Sequence, residues 1–140
     1  MTAPVRREVL VGAAPDRAFE MFTEQLGRWW PLDRFGVFGD GTVAFEGGLL
    51  VERAGGRQSI WGEVTEWAPP SMLAMTWHPG YQTDRATDIR VTFEAQGEQT
   101  LVTLVHSGWE RMTDPDAAAE EYGSGWPGVL RGFAALASAP

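Results

Sequence analysis

The sequence contains no cysteine, no lysine and no asparagine, and only two histidines. Each absence removes a chemistry. Without cysteine there is no disulfide framework, thiol nucleophile, thiolate zinc site or iron–sulfur ligand set. Without lysine there is no side-chain Schiff base and no phosphate-loop lysine. The two histidines would need carboxylates such as Glu63 or Asp88 to complete a metal site, and no spacing brings these together. Neither a metal nor a cofactor is expected.

Positive charge is also scarce. Eleven arginines face 19 acidic residues, giving a formal charge of −8 and an isoelectric point near 4.7. The arginines are scattered, so the basic patch that binds phosphate backbones is missing and a nucleic-acid partner is not expected. An acidic surface likewise disfavours anionic membranes. Residues 1–10 lack the apolar core and cleavage site of an export signal, and no window approaches roughly 18 uninterrupted apolar residues. The expectation is a cytoplasmic protein without membrane insertion.

What the chain does have is apolar mass and turns: 44% hydrophobic residues, 17 glycines and 9 prolines in 140 residues. A domain of this size buries about 68–70% of its unfolded surface, whereas two domains would each be starved of core. Residues 1–140 are therefore expected to form a single domain.

Periodicity places the elements. Residues 5–11 alternate as a first strand. Pro15 and Asp16 suit a helix start, and Ala18, Phe19, Met21, Phe22 and Leu26 give that helix an apolar stripe until Gly27 interrupts it. Residues 29–41 form a loop carrying Trp29, Trp30, Phe35 and Phe38. Strands at 42–46 and 49–53 flank Gly47-Gly48, a pair suited to a tight hairpin turn. Strands at 57–67 and 72–78 flank Pro69-Pro70, which must lie outside the sheet interior. Residues 87–95 alternate cleanly, with Ile89, Val91 and Phe93 opposite Asp88, Arg90 and Glu94. The last strand is expected over 100–109.

Asp114-Pro115 reads as a helix cap and first turn. Beyond it, Gly123, Gly125, Pro127 and Gly128 leave two readings: one long helix kinked near Pro127, or a second helix capped by Ser124 with Pro127 in its first turn. The second is preferred. In both, Trp126, Val129, Leu130, Phe133 and Leu136 make one apolar face at helical spacing. Successive hairpins imply an antiparallel sheet, and only the terminal helix is long enough to cover it. The fold class is α+β in two layers.

Ordered local patterns extend this reading. Ala18-Phe19 with Phe22-Thr23, Trp29-Trp30-Pro31, Gly62-Glu63-Val64, Pro69-Pro70, Leu73 with Thr76-Trp77, His106-Ser107-Gly108-Trp109 and Gly125-Trp126 with Leu130 follow one another along the chain. In this order, spanning about residues 5–136, they resemble the START-like or SRPBCC helix-grip superfamily, which includes Bet v 1-type proteins and polyketide cyclases. Within it they most resemble the homologues of the heat-shock-protein-90 ATPase activator. The resemblance implies a curved seven-stranded antiparallel sheet gripping a long C-terminal helix, with two short helices between the first two strands. It implies no single activity, because this fold hosts carriers, cyclases, hydrolases, receptors and co-chaperone domains.

Seven tryptophans suit either core plugs or an aromatic pocket. The resemblance places Trp29, Trp30, Phe35 and Phe38 at one end of a groove between sheet and helix. Trp61, Trp77, Tyr81, His106, Trp126 and Leu130 complete the candidate ligand-binding set. Trp77 and Trp109 are read as strand residues directed to the core. His106 shares strand parity with Val102 and Leu104 and is expected to hold the strand end by hydrogen bonding, while His78, before Pro79-Gly80, is expected at the surface. Arg90, Glu63, Glu46 and Glu52 lie on strands and could place a charge inside the groove, but most strand charges face water, and the parity of Arg90 with Asp88, Thr92 and Glu94 marks the solvent face. Ser107 points away from His106, and Ser124 lacks a nucleophile elbow, so a serine hydrolase is not expected.

The functional expectation is a binding domain for a small apolar or amphipathic molecule. Two alternatives stay open: an enzyme of the polyketide cyclase or hydrolase kind, with His106 and Tyr81 as first suspects, and a chaperone-associated interaction domain. Homodimerisation also stays open.

Overall fold

The computed structural model describes residues 2–140. Strand β1 (Val5–Val11) leads into helix α1 (Pro15–Thr23) and two single helical turns, α2 (Leu26–Trp29) and α3 (Leu32–Phe35). Six strands follow: β2 (Thr42–Glu46), β3 (Leu49–Ala54), β4 (Arg57–Ala68), β5 (Met72–Trp77), β6 (Thr87–Gln96) and β7 (Gln99–Ser107). Helix α4 (Pro115–Ala137) closes the described chain. The seven strands form one antiparallel sheet in the order β1-β7-β6-β5-β4-β3-β2. This is the α+β helix-grip architecture.

Local chemistry accounts for most of it. Gly47 and Gly48 both take positive φ, 57° and 83°, the pair a two-residue hairpin turn requires. On β6, Ile89, Val91 and Phe93 are buried while Arg90 and Glu94 are exposed, as the alternation demands. Arg90 meets Glu66 on the outer face. On β7, Val102, Leu104 and His106 are buried on the same face. The core lies between that concave face and α4, where Phe133 is fully buried against Phe22 and Trp29, each ring centroid 5.1 Å away.

Four expectations are corrected. Helix α4 is one element of 23 residues, and Ser124 lies exposed in its middle rather than capping a second helix. Asp114 is the cap, its Oδ1 accepting from the Ala117 N–H. Pro127 lacks the N–H that would bond the Gly123 carbonyl, and Arg7 Nε on β1 donates to that carbonyl instead, at 3.2 Å. The helix passes through its proline because a distant strand supplies the missing donor.

Trp109 is buried as expected but sits on a 3-10 turn, Trp109–Arg111, beyond the end of β7. Gly108, at φ 85°, ends the strand, and a left-handed residue of this kind turns the chain out of the sheet. His78 is 7% exposed rather than on the surface. Its N–H donates to the Trp61 carbonyl, which draws the segment after β5 against β4.

Glu52 is the largest departure, since it is fully buried. It shares strand parity with buried Leu50 and Ala54, and its carboxylate accepts from the N–H groups of Val37, Phe38 and Gly39 at 2.7, 2.9 and 3.4 Å. Trp61 Nε1 donates to it as well, at 3.0 Å. A buried carboxyl group is tolerated where N–H donors satisfy its oxygens. Three of these four donors tie the 36–39 loop to the sheet.

Candidate functional site

The groove between α4 and the sheet is filled at one end and open at the other. At the inner end Phe22, Trp29, Phe93 and Phe133 fill the space, and Trp29 Nε1 donates to the Met21 carbonyl at 2.8 Å. At the outer end a half-open cavity of about 360 Å³ remains. Ala118, Tyr122, Trp126 and Val129 of α4 form one wall, at the spacing of a single helical face. Trp30, Phe35, Gly36 and Val37 form the opposite rim. Trp77 and Tyr81, from the end of β5 and the turn after it, form the floor with Pro79.

Trp30 organises the aromatic wall. Its ring lies 5.4 Å from Trp61, 5.7 Å from Trp77 and 5.9 Å from Trp126, in edge-on or tilted contact. Such contacts hold large rings rigidly and so preserve an apolar surface. The indole Nε1 of Trp30 is buried and has no hydrogen-bond partner among the described residues.

Two hydrogen-bonded chains converge on Trp77. In the first, Trp126 Nε1 donates to His106 Nδ1 at 3.1 Å. An indole nitrogen only donates, so the imidazole proton sits on Nε2 and is donated to Thr87 Oγ1 at 2.6 Å. Thr87 in turn donates to the Trp77 carbonyl at 3.2 Å. Burial holds the His106 pKa down to about 3, and the imidazole is neutral at physiological pH. With both ring nitrogens occupied and no exposed surface, His106 has no free site for a proton or a substrate.

In the second chain, Trp77 Nε1 donates to Tyr122 Oη at 3.2 Å, Tyr122 and Tyr81 hydroxyls lie 3.3 Å apart, and Tyr81 Oη lies 3.4 Å from the Trp77 carbonyl. One arrangement of protons satisfies all three contacts: Tyr122 donates to Tyr81, and Tyr81 to the carbonyl. Burial, followed by the neighbouring Tyr122, pushes the Tyr81 phenol well above its ordinary pKa, and burial likewise raises Tyr122. Both phenols remain protonated donors at neutral pH.

Of the candidate residues, Trp30, Phe35, Trp77, Tyr81 and Trp126 come together around the cavity. Trp29 and Leu130 lie in the core, Trp61 and His106 are fully buried behind the cavity wall, and Phe38 lies in an outer cleft with His78, under the Arg57 guanidinium at 4.5 Å. Sequence reasoning missed Tyr122, Val129, Met112 and Val37. Tyr122 stands four residues before Trp126 on the same helical face, a signal hidden by reading a helix break between them. Among the described residues, no three His, Asp or Glu side chains could together hold a metal ion, and no helix is long and apolar enough to cross a membrane.

Comparison with known proteins gives the same architecture. The solution structure of the Aha1 dimer from Colwellia psychrerythraea superposes with a TM-score of 0.70 at 18% identity, over 95% of this chain and 94% of that one. Txn09, described as an anthrahydroquino-γ-pyrone synthase and solved in complex with SUM, is 32% identical with a TM-score of 0.64, over 96% of this chain and 97% of that one. CalC from Micromonospora echinospora, described as a self-sacrificing resistance protein, is 27% identical with a TM-score of 0.66, over 96% and 93% respectively. No curated protein matches the chain. The family model described as Activator of Hsp90 ATPase homolog 1-like protein matches residues 12–138. The chain belongs to this family, on the AHSA1-like branch of the SRPBCC superfamily.

Proposed function

We propose that the chain binds a small, planar, largely apolar molecule in the cavity beneath α4. The observation that carries this reading is the cavity itself: about 360 Å³, lined by the indoles of Trp30, Trp77 and Trp126 and by the phenols of Tyr81 and Tyr122. Ligand sites are concave, mostly apolar and supplied with a few placed polar groups, at volumes from about 300 Å³ upward. Flat indole walls favour a flat ligand, because stacked and edge-on ring contacts add to the gain from burial.

A second reading, an enzyme that acts on such a molecule, is favoured by the 32% identity to Txn09 along nearly the whole chain. On this reading the work falls to binding and to hydrogen-bond donation by Tyr81 and Tyr122, since His106 is sealed in the core. The likeness to Aha1, at 18% identity, speaks to fold alone. The site as built favours a small molecule over a chaperone.

Titration with 2-(hydroxymethyl)anthracene, read by energy transfer from tryptophan, tests the reading. Saturable binding that Ala118→Trp abolishes, in a variant with an unchanged circular dichroism spectrum, supports it. Non-saturating transfer, or binding indifferent to filling the cavity, overturns it.

A further inference from the structure

The polar atoms of the cavity differ in what remains for a ligand. Trp126 Nε1 is engaged by His106, and Trp77 Nε1 by Tyr122. Tyr122 Oη accepts one bond and donates one. Two donors remain loosely held or free. Trp30 Nε1 is buried without a partner among the described residues. Tyr81 ends its chain on the longest contact of the loop, 3.4 Å, to a carbonyl that already accepts from Thr87 Oγ1 at 3.2 Å. Of the two, Tyr81 is only half-buried and lines the cavity, so a ligand acceptor can replace its long, shared contact with a better one.

Acceptors on the wall are scarce by comparison. The one ionisable acid there, Glu121, is exposed and sits next to Tyr122 in sequence, where its charge opposes a second negative charge. It disfavours tyrosinate and an anionic ligand alike.

We infer that Tyr81 is the specificity-determining anchor of the site: its hydroxyl donates to a neutral carbonyl oxygen on a planar aromatic ligand. Tyr122 acts through Tyr81. By donating to Tyr81 Oη, it leaves the Tyr81 proton to be given either to the Trp77 carbonyl, at the long 3.4 Å contact, or to a ligand, and it strengthens that donor, because hydrogen bonds in a chain polarise one another. This inference rests on the proposed small-molecule reading and narrows it to ligands with acceptors at their edge.

The test compares two probes of the same shape, 2-(hydroxymethyl)anthraquinone and 2-(hydroxymethyl)anthracene, which differ in the two ring carbonyls. The full chain binds the quinone about tenfold more tightly, the equivalent of one well-made hydrogen bond. Tyr81→Phe removes that preference, weakening quinone binding more than anthracene binding, whereas Tyr122→Phe reduces the preference in part. Equal binding of both probes, or a preference that survives in Tyr81→Phe, overturns the inference while leaving the cavity a small-molecule site. Binding of neither probe removes both.

Discussion

Arg7 Nε donates to the Gly123 carbonyl at 3.2 Å, joining residues 116 apart in sequence. The contact exists because Pro127 has no N–H to give that carbonyl, and it lets α4 run unbroken across the sheet. Continuity of α4 is what sets Tyr122 and Trp126 on one face of the cavity.

A double-mutant cycle follows from this relationship. Arg7→Gln in the wild-type background costs about 1–2 kcal/mol, the worth of a part-buried hydrogen bond from a charged group. In the Pro127→Ala background the backbone supplies its own donor, and the same change costs about 1 kcal/mol less. Urea denaturation of the four proteins measures the coupling. Equal costs in both backgrounds contradict the account.

Glu52 gives a second expectation. Glu52→Ala leaves three loop N–H groups and the Trp61 indole without an acceptor and destabilises by about 3 kcal/mol or more. Glu52→Gln keeps one carbonyl acceptor and costs about half as much. Hydrogen exchange localises the effect: protection is lost first at Val37, Phe38 and Gly39.

Stability should fall with acid through His106. Its folded pKa of about 3 lies below the ordinary 6.5, so below pH 6.5 the unfolded chain binds a proton that the folded chain refuses. Stability is full above pH 6.5 and declines as pH falls from there towards 3, with a slope of up to about 1.4 kcal/mol per pH unit. Between pH 6.5 and 5, where carboxylates contribute little, His106→Gln should show a flatter slope than wild type despite its lower stability. Parallel slopes would falsify the assignment.

Two glycines separate steric need from mere turn composition. A Cβ on Gly62 would lie 1.9 Å from the Thr76 carbonyl oxygen, whereas one on Gly56 meets nothing within 4 Å. Gly62→Ala therefore forces β4 from β5 and costs about 3 kcal/mol, while Gly56→Ala stays within about 0.5 kcal/mol of wild type. Thermal unfolding of the two variants distinguishes them.

The parts of this structure legible in sequence are those whose cause is local. Strict alternation on β6 and the Gly47-Gly48 pair show their strand and turn within a few residues, and the ordered aromatic motifs carry the fold family. The parts that escaped are groups satisfied from afar. Glu52 looks like an ordinary surface charge until the 36–39 loop, with no strand to bond, folds onto it. Pro127 looks like a helix break until Arg7 arrives from β1. His78 looks like a turn residue until its N–H meets Trp61. For the candidate site, parity and helical spacing found the indoles; Tyr122 was lost with the misplaced helix boundary.

The cavity beneath α4 is tested most directly by the seven tryptophan side chains themselves. In a ¹⁵N-labelled sample each indole N–H gives its own resonance, and 2-(hydroxymethyl)anthraquinone can be titrated against all of them. Saturable shifts are expected at Trp30, Trp77 and Trp126, with Trp67, which is 46% exposed away from the cavity, unmoved. Shifts confined to Trp67, or small changes spread evenly without saturation, would contradict this expectation.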